Sequence, residues 1–180
     1  MSVPSRVSVA ALVVSVFTWG CGWAQSSSYG AVRPAQAIDE APVTAACGPQ
    51  PPRLARESVQ VRTRSGVRRF DVEIAADDPS REYGLMCRPA MSDHHGMLFE
   101  FPQPAEQTFW MKNTYIALDI IYIGPDGRIV SISRNARPFD ETPLPSREPA
   151  TGVLEINGGL AARLGIQPGD RVDHPFFRSH

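Results

Sequence analysis

From Ser58 onward apolar and polar residues alternate, with Val59 and Val61 in one run and Phe70, Val72 and Ile74 in the next. A period of two puts each set on one face of a strand, so the turn Arg64-Ser65-Gly66 between them predicts a β-hairpin. Asp78 followed by Pro79 then predicts a short helix running to about Leu85, because aspartate accepts from free first-turn amides and proline lacks an N–H that would be unpaired there anyway. After a loop through Pro89 and residues 92–95, three apolar strands are expected at 96–101, 108–111 and 118–123. The last is apolar on both faces, as a central strand would be. Gly124-Pro125-Asp126-Gly127 is turn chemistry and returns the chain as a strand at 128–133. A proline-rich loop, 135–149, leads to a strand at 152–156. Asn157 is then expected to cap a helix ending near Leu164, with Gly165 in the left-handed position after it, Ile166 packing back and Pro168 forbidding continuation. Gly169-Asp170 turns into a closing strand around Val172. Many short strands with two short helices predict a mainly β fold, either a jelly-roll-like β-sandwich or a partly closed barrel.

The ends of the chain carry a different pattern. Arg6, an apolar run from Val7 to Trp19, and the small residues Gly22 and Ala24 read as a secretory signal peptide over 1–24, cut after Ala24. The apolar run is short of the roughly 20 residues a membrane span needs. A retained anchor and lipid attachment at Cys21 are the alternatives. Residues 25–57, mostly Ser, Ala, Pro, Gln and Gly, predict a disordered tether, since little in them can offset the cost of ordering. The folded domain is expected over 58–174, with 175–180 as a tail. An exported protein, periplasmic or extracellular and without a membrane span once the leader is gone, is the expectation.

Composition and charge narrow the choice further. With 17 prolines and 14 glycines in 180 residues, turns must be frequent. A net charge of −1 supplies no basic footprint for nucleic acid. Every basic residue is arginine except Lys112, so a flexible ammonium stands at one place only. Removing the leader leaves Cys47 and Cys87, an even pair in an oxidising compartment. A disulfide between them would close a loop of about 40 residues and contribute roughly 3–4 kcal/mol on the chain-entropy model. Two free thiols are the alternative.

The runs Arg81-Glu82-Tyr83-Gly84-Leu85-Met86-Cys87-Arg88, Gly96-Met97-Leu98-Phe99, Phe109-Trp110-Met111-Lys112-Asn113-Thr114, Leu118-Asp119-Ile120 and Val153-Leu154-Glu155-Ile156-Asn157-Gly158-Gly159 closely resemble the domain of unknown function 192 family, in order and spacing. The closing run from Leu164 to Val172 is similar to the family's ending. The resemblance implies a mainly β, jelly-roll-like sandwich and frequent export in bacteria, and no activity. Cys87 stands where the family has a bulky apolar residue, which supports a bond to Cys47. His94-His95 replace a usually acidic loop.

Trp110, Lys112, Asn113, Asp119, Glu155 and Asn157 form the candidate ligand-binding set. In an extended segment Trp110, Lys112 and Thr114 would share a face, and Glu155 would share one with Val153 and Asn157. Lysine beside apolar strands either pairs with a carboxylate or shifts its pKa, and Asp119 and Glu155 are the available partners. Such a set could hold a polar small molecule, a sugar or a cell-wall fragment. A structural ion pair that pins strand register, with Asn157 used wholly for capping, is the competing reading. Asp93-His94-His95 offers two adjacent histidines without a third ligand at zinc-like spacing, so no metal is expected. Glu82 reads as an acid–base candidate or as half of a helix-to-strand salt bridge. The chain has no nucleophile elbow, His-Glu-x-x-His, phosphate-cradling loop or dinucleotide fingerprint, so no catalytic residue and no cofactor is assigned. The expected role is a non-catalytic binding or accessory module of the cell envelope. The alternative is an envelope hydrolase with Glu155 or Asp119 as acid or base.

Overall fold

A computed structural model of the chain describes Cys47 and residues 53–178. The expected leader and the tether apart from Cys47 and residues 53–57 lie outside the described residues. Strands β1 (Arg56–Thr63) and β2 (Gly66–Ala75) form the expected hairpin, and helix α1 (Asp78–Tyr83) follows. Then come β3 (His95–Phe109), β4 (Leu118–Ile123), β5 (Ile129–Ala136), β6 (Leu144–Asn157), helix α2 (Leu160–Leu164) and β7 (Arg171–Asp173). The seven strands make one curled sheet, a half-barrel, in the order β5-β4-β6-β3-β2-β1-β7. All pairs are antiparallel except β2 with β3, where α1 supplies the crossover that a parallel pair requires. A bridge between Arg128 and Arg171 brings the two ends of the strand order together at one point. Of the two expected architectures, the partly closed barrel is the one formed.

Both faces of the sheet are buried. Leu98, Leu154 and Ile121 stand side by side across β3, β6 and β4 and pack with Val59, Val72, Ile166 and Phe177 on one face. One position along, Phe99, Val153 and Tyr122 line the other face with Leu85 and Met111. β4 is buried at every position, which is why it reads as a continuous apolar run.

Several elements differ from the sequence-based expectation. Asp77 rather than Asp78 caps α1: its carboxylate accepts from the Ser80 amide at 2.8 Å, in a reciprocal capping box, and the helix ends at Tyr83. The two strands expected at 96–101 and 108–111 are one strand, β3. Its register with β6 shifts between Glu100 and Ala105, across Pro102 and Pro104, and resumes because β6 begins already at Leu144 inside the expected loop. Asn157 does not cap α2; Gly159 holds that position in a left-handed conformation without a side-chain cap. The C-terminal end of α2 is as expected, with Gly165 at φ 72° and the Ile166 amide returning to the Ala161 carbonyl. Residues 175–178 are not a loose tail. They form a 3-10 turn that buries Phe177 over Gly152, whose missing side chain leaves the ring its space: a Cβ there would sit 2.5 Å from Phe177 Cζ.

Candidate functional site

A cleft of about 640 Å³ opens between α1, the outer half of β3 and the turn that follows β3. Its aromatic lining comes from Tyr83, Phe99, Phe101, Phe109 and Trp110, with Phe99 and Phe109 packed edge to face, ring centres 4.9 Å apart. Residues 99, 101 and 109 sit on one strand, and Tyr83 ends the short helix facing it. Glu155 also lines the cleft. Its strand neighbours in register are Met97 on β3 and Ile120 on β4, and the residue is only 4% exposed. Burial alone pushes its carboxyl up to about 8, since loss of hydration disfavours the charged form. Among the described residues its carboxylate makes no hydrogen bond or ion pair. The Tyr83 hydroxyl is likewise buried without a partner. By contrast, the Gln107 amide donates to the Ala105 and Ala150 carbonyls, and the Thr114 hydroxyl donates to the Lys112 carbonyl.

The segment from Trp110 to Thr114 is a turn, not the extended stretch that would align Trp110, Lys112 and Thr114. Met111 points into the core, fully buried, and its amide donates to the Asp140 carbonyl at 2.9 Å. Asn113 takes a left-handed conformation, φ 51°, and its carbonyl accepts from the Cys87 amide at 2.8 Å. Lys112 pairs with neither Asp119 nor Glu155: its ammonium lies over the Trp110 ring, 5.0 Å from the centre, a cation–π contact at the cleft mouth. Trp110 is itself 48% exposed.

The candidate set therefore divides. Trp110, Lys112, Asn113 and Glu155 line the cleft, whereas Asp119 and Asn157 do other work. Asp119, fully buried, accepts from the backbone amides of Asn135, Gly159 and Ala161 at 2.6, 3.1 and 2.7 Å. It supplies the helix cap that Gly159 cannot. Asn157 donates to the Met91 carbonyl and the Asp93 carboxylate, both at 2.8 Å, and so holds the 91–95 loop. Asp93 also pairs with Arg163 at 2.9 Å, while His95 approaches Asp71 at 3.6 Å. Glu82 stands exposed at the cleft rim without an ion pair among the described residues. The salt bridge expected of it is made instead by Arg88, both of whose terminal nitrogens reach Glu73 on β2 and hold that carboxyl below its ordinary value. Cys47 and Cys87 are bonded, so the chain preceding β1 is stapled beside the turn that Asn113 shapes.

A sequence profile for the family DUF192, described as "Uncharacterized ACR", matches residues 59–174. The chain belongs to the DUF192 family. Two solved structures resemble this DUF192 domain closely. One, from Sinorhizobium meliloti 1021, is described as a candidate transcription regulator; it is 45% identical, with a TM-score of 0.67, over 69% of this chain and 97% of its own. The other, a protein of unknown function from Novosphingobium aromaticivorans DSM 12444, is 47% identical, with a TM-score of 0.67, over 73% and 97%. Comparison with curated proteins gives no match.

The DUF192 cleft also contains residues that sequence reasoning did not single out. Tyr83, Phe99 and Phe109 were legible only as family residues or core. The recurrence of phenylalanine at 99, 101 and 109 along a run interrupted by prolines was the available signal, and the proline break hid that one strand carries all three. What the arrangement can do chemically follows from the two groups that are buried there without a partner among the described residues. A protonated Glu155 carboxyl can both donate and accept, and the Tyr83 hydroxyl can do the same, inside walls that otherwise offer aromatic surface.

Proposed function

We propose that this DUF192 domain is a small non-catalytic binding module of the cell envelope that receives a polar ligand, such as a sugar or a cell-wall fragment, in the cleft between α1 and the 110–114 turn. The observation that carries the reading is Glu155: a buried carboxyl with no partner among the described residues, at a cleft walled by aromatic rings. Leaving such a group unsatisfied costs stability, and a ligand that satisfies it recovers that cost on binding. Trp110 at the mouth offers a flat face to a ring, with Lys112 beside it. Export is supported by the leader-like sequence and by the Cys47–Cys87 bond, which suits an oxidising compartment. Among the described residues no helix is long and apolar enough to cross a membrane. The regulator description belongs to the Sinorhizobium protein; this chain's charge of −1 gives no reason to extend it here.

The reading is tested by calorimetric titration of the purified domain with mono- and disaccharides and wall-derived fragments. Wild type should bind at least one, and Trp110→Ala and Glu155→Gln should each weaken it tenfold or more. A bound ligand indifferent to both substitutions would place the site elsewhere. The hydrolase reading has one observation in its favour, the value of about 8 for Glu155, which keeps a proton available at neutral pH as a general acid requires. Asp119 is closed to that role by its three amide contacts. Turnover of an envelope glycan that disappears in Glu155→Gln would replace the binding reading.

A further inference from the structure

The inner cleft asks for one polar head and an apolar body. Of the polar side chains facing it, Gln107 and Thr114 already bond to backbone carbonyls, and Arg81 is held by the Asp78 carboxylate and the carbonyls of Ala76 and Glu100 while lying 5.3 Å from the Phe101 ring centre. Lys112 rests on Trp110 at the mouth. Glu82 and Thr108 stand toward solvent and Asn113 partly so, and the polar groups left at the buried end are the Glu155 carboxyl and the Tyr83 hydroxyl, set among Leu85, Phe99 and Phe109. Any hydroxyls of a ligand beyond those that meet these two groups would face hydrocarbon at this inner end, so the part of the ligand seated there carries one polar head.

Resting on the reading of this cleft as a ligand site, we propose that its occupant is a primary amine on an apolar or aromatic body, with the ammonium received by Glu155 and Tyr83 and the body against the phenylalanines. Glu155 has no cation beside it among the described residues: Arg81 and Lys112, the basic residues lining the cleft, are both engaged elsewhere. An incoming ammonium supplies the missing counter-charge where water is thin and the attraction correspondingly strong, and aromatic faces around it add cation–π attraction. Glu155 is protonated at neutral pH in the free protein, so forming the pair expels its proton to solvent. The other titratable groups around it are Tyr122 from β4, whose hydroxyl donates to the Leu144 carbonyl and which burial keeps protonated, Asp78, Arg81, Glu82 and Tyr83 from α1, and Lys112 from the turn. Of this set, Glu155 is the carboxyl that burial pushes up to about 8.

The experiment is calorimetric titration of the full domain with phenethylamine, with its neutral counterpart 2-phenylethanol, and with cellobiose, at pH 6, 7 and 8 in buffers of different ionisation heat. Phenethylamine should bind more tightly than the alcohol at pH 7, release close to one proton, and gain about tenfold in affinity for each unit that pH rises between 6 and 8. Glu155→Gln, isosteric with the protonated side chain, should abolish both the proton release and the preference for the amine over the alcohol. Tyr83→Phe, which keeps the ring, should weaken both several-fold. Equal binding of amine and alcohol, or amine binding without proton release, overturns the inference. Binding of cellobiose alone overturns it while leaving the binding-module reading intact, and failure of every probe with the wild-type protein counts against both.

Discussion

The carboxylate of Asp119, on β4, accepts a hydrogen bond from the backbone amide of Ala161 at the start of α2, 42 residues further along the chain. Two more amides, of Asn135 and Gly159, converge on the same side chain. One acidic residue thus fastens β4, the end of β5 and the helix after β6 to each other.

Asp119→Ala should cost roughly 3–5 kcal/mol, since it leaves buried amides unpaired and opens a void. Asp119→Asn should also destabilise, because an amide group presents donors toward donors. Urea denaturation of the two variants checks this. A loss under about 1 kcal/mol for both would mean that water replaces the carboxylate freely.

Glu155 makes stability fall as pH rises. Its carboxyl sits near 8 when folded, against an ordinary 4.5, so in the unfolded chain it ionises first. The folded state is favoured fully below 4.5 and loses roughly 1.4 kcal/mol per pH unit from there to about 8. His174 works in the opposite sense, burial having lowered its pKa, so its contribution falls as the solution is acidified below the ordinary histidine range. The difference between wild type and Glu155→Gln isolates the first effect. Thermal melts from pH 5 to 8 should show the variant gaining on wild type throughout, and parallel curves would contradict the burial of the carboxyl.

Gly152 and Phe177 should be coupled. Gly152→Ala forces the ring out of its place, for a loss of roughly 1–3 kcal/mol; Phe177→Ala costs roughly 3–5 kcal/mol through the cavity it leaves. In the double variant the alanine methyl no longer meets a ring, so the combined loss should fall short of the sum by 1 kcal/mol or more. Additive losses, measured by urea denaturation, would mean that the two residues do not touch.

Reduction of the Cys47–Cys87 bond should lower stability by roughly 3–4 kcal/mol, given the 40-residue separation of its ends. Denaturation with and without reductant measures this, and Cys87→Ser should match the reduced protein. An unchanged midpoint would mean that the staple constrains nothing the folded domain relies on.

What could be read from the residues alone was whatever depends on near neighbours. The β1–β2 alternation, the apolar run of β4 and the Gly165 helix end rest on side chains within a turn or two of each other, and each is where the pattern put it. Asp119, the 110–114 turn and the continuity of β3 depend on partners 26 to 52 residues away: the Asn113 carbonyl meets the Cys87 amide, the Asp119 carboxylate meets α2, and β6 pairs on both sides of the Pro102–Pro104 break. A reading of local pattern sees Lys112, Asp119 and Glu155 as three charges beside strands and pairs them. Folding gives each a different surrounding, and of the three only Glu155 is left without a partner among the described residues. The tyrosine and phenylalanines of the cleft were hidden for the same reason, since an aromatic facing a cleft has the sequence signature of one facing a core.

The bridge between Arg128 and Arg171 bears on how the protein behaves in a crowded solution. An open sheet offers a ladder of unpaired amides and carbonyls at each border, onto which a neighbouring molecule can add a strand. Here one border strand, β7, is three residues long, and the other begins bonded to the segment leading into it through Ile129, Asp170 and Gly169. The half-barrel closes its own seam at that end, which shortens the border that a neighbouring molecule could extend.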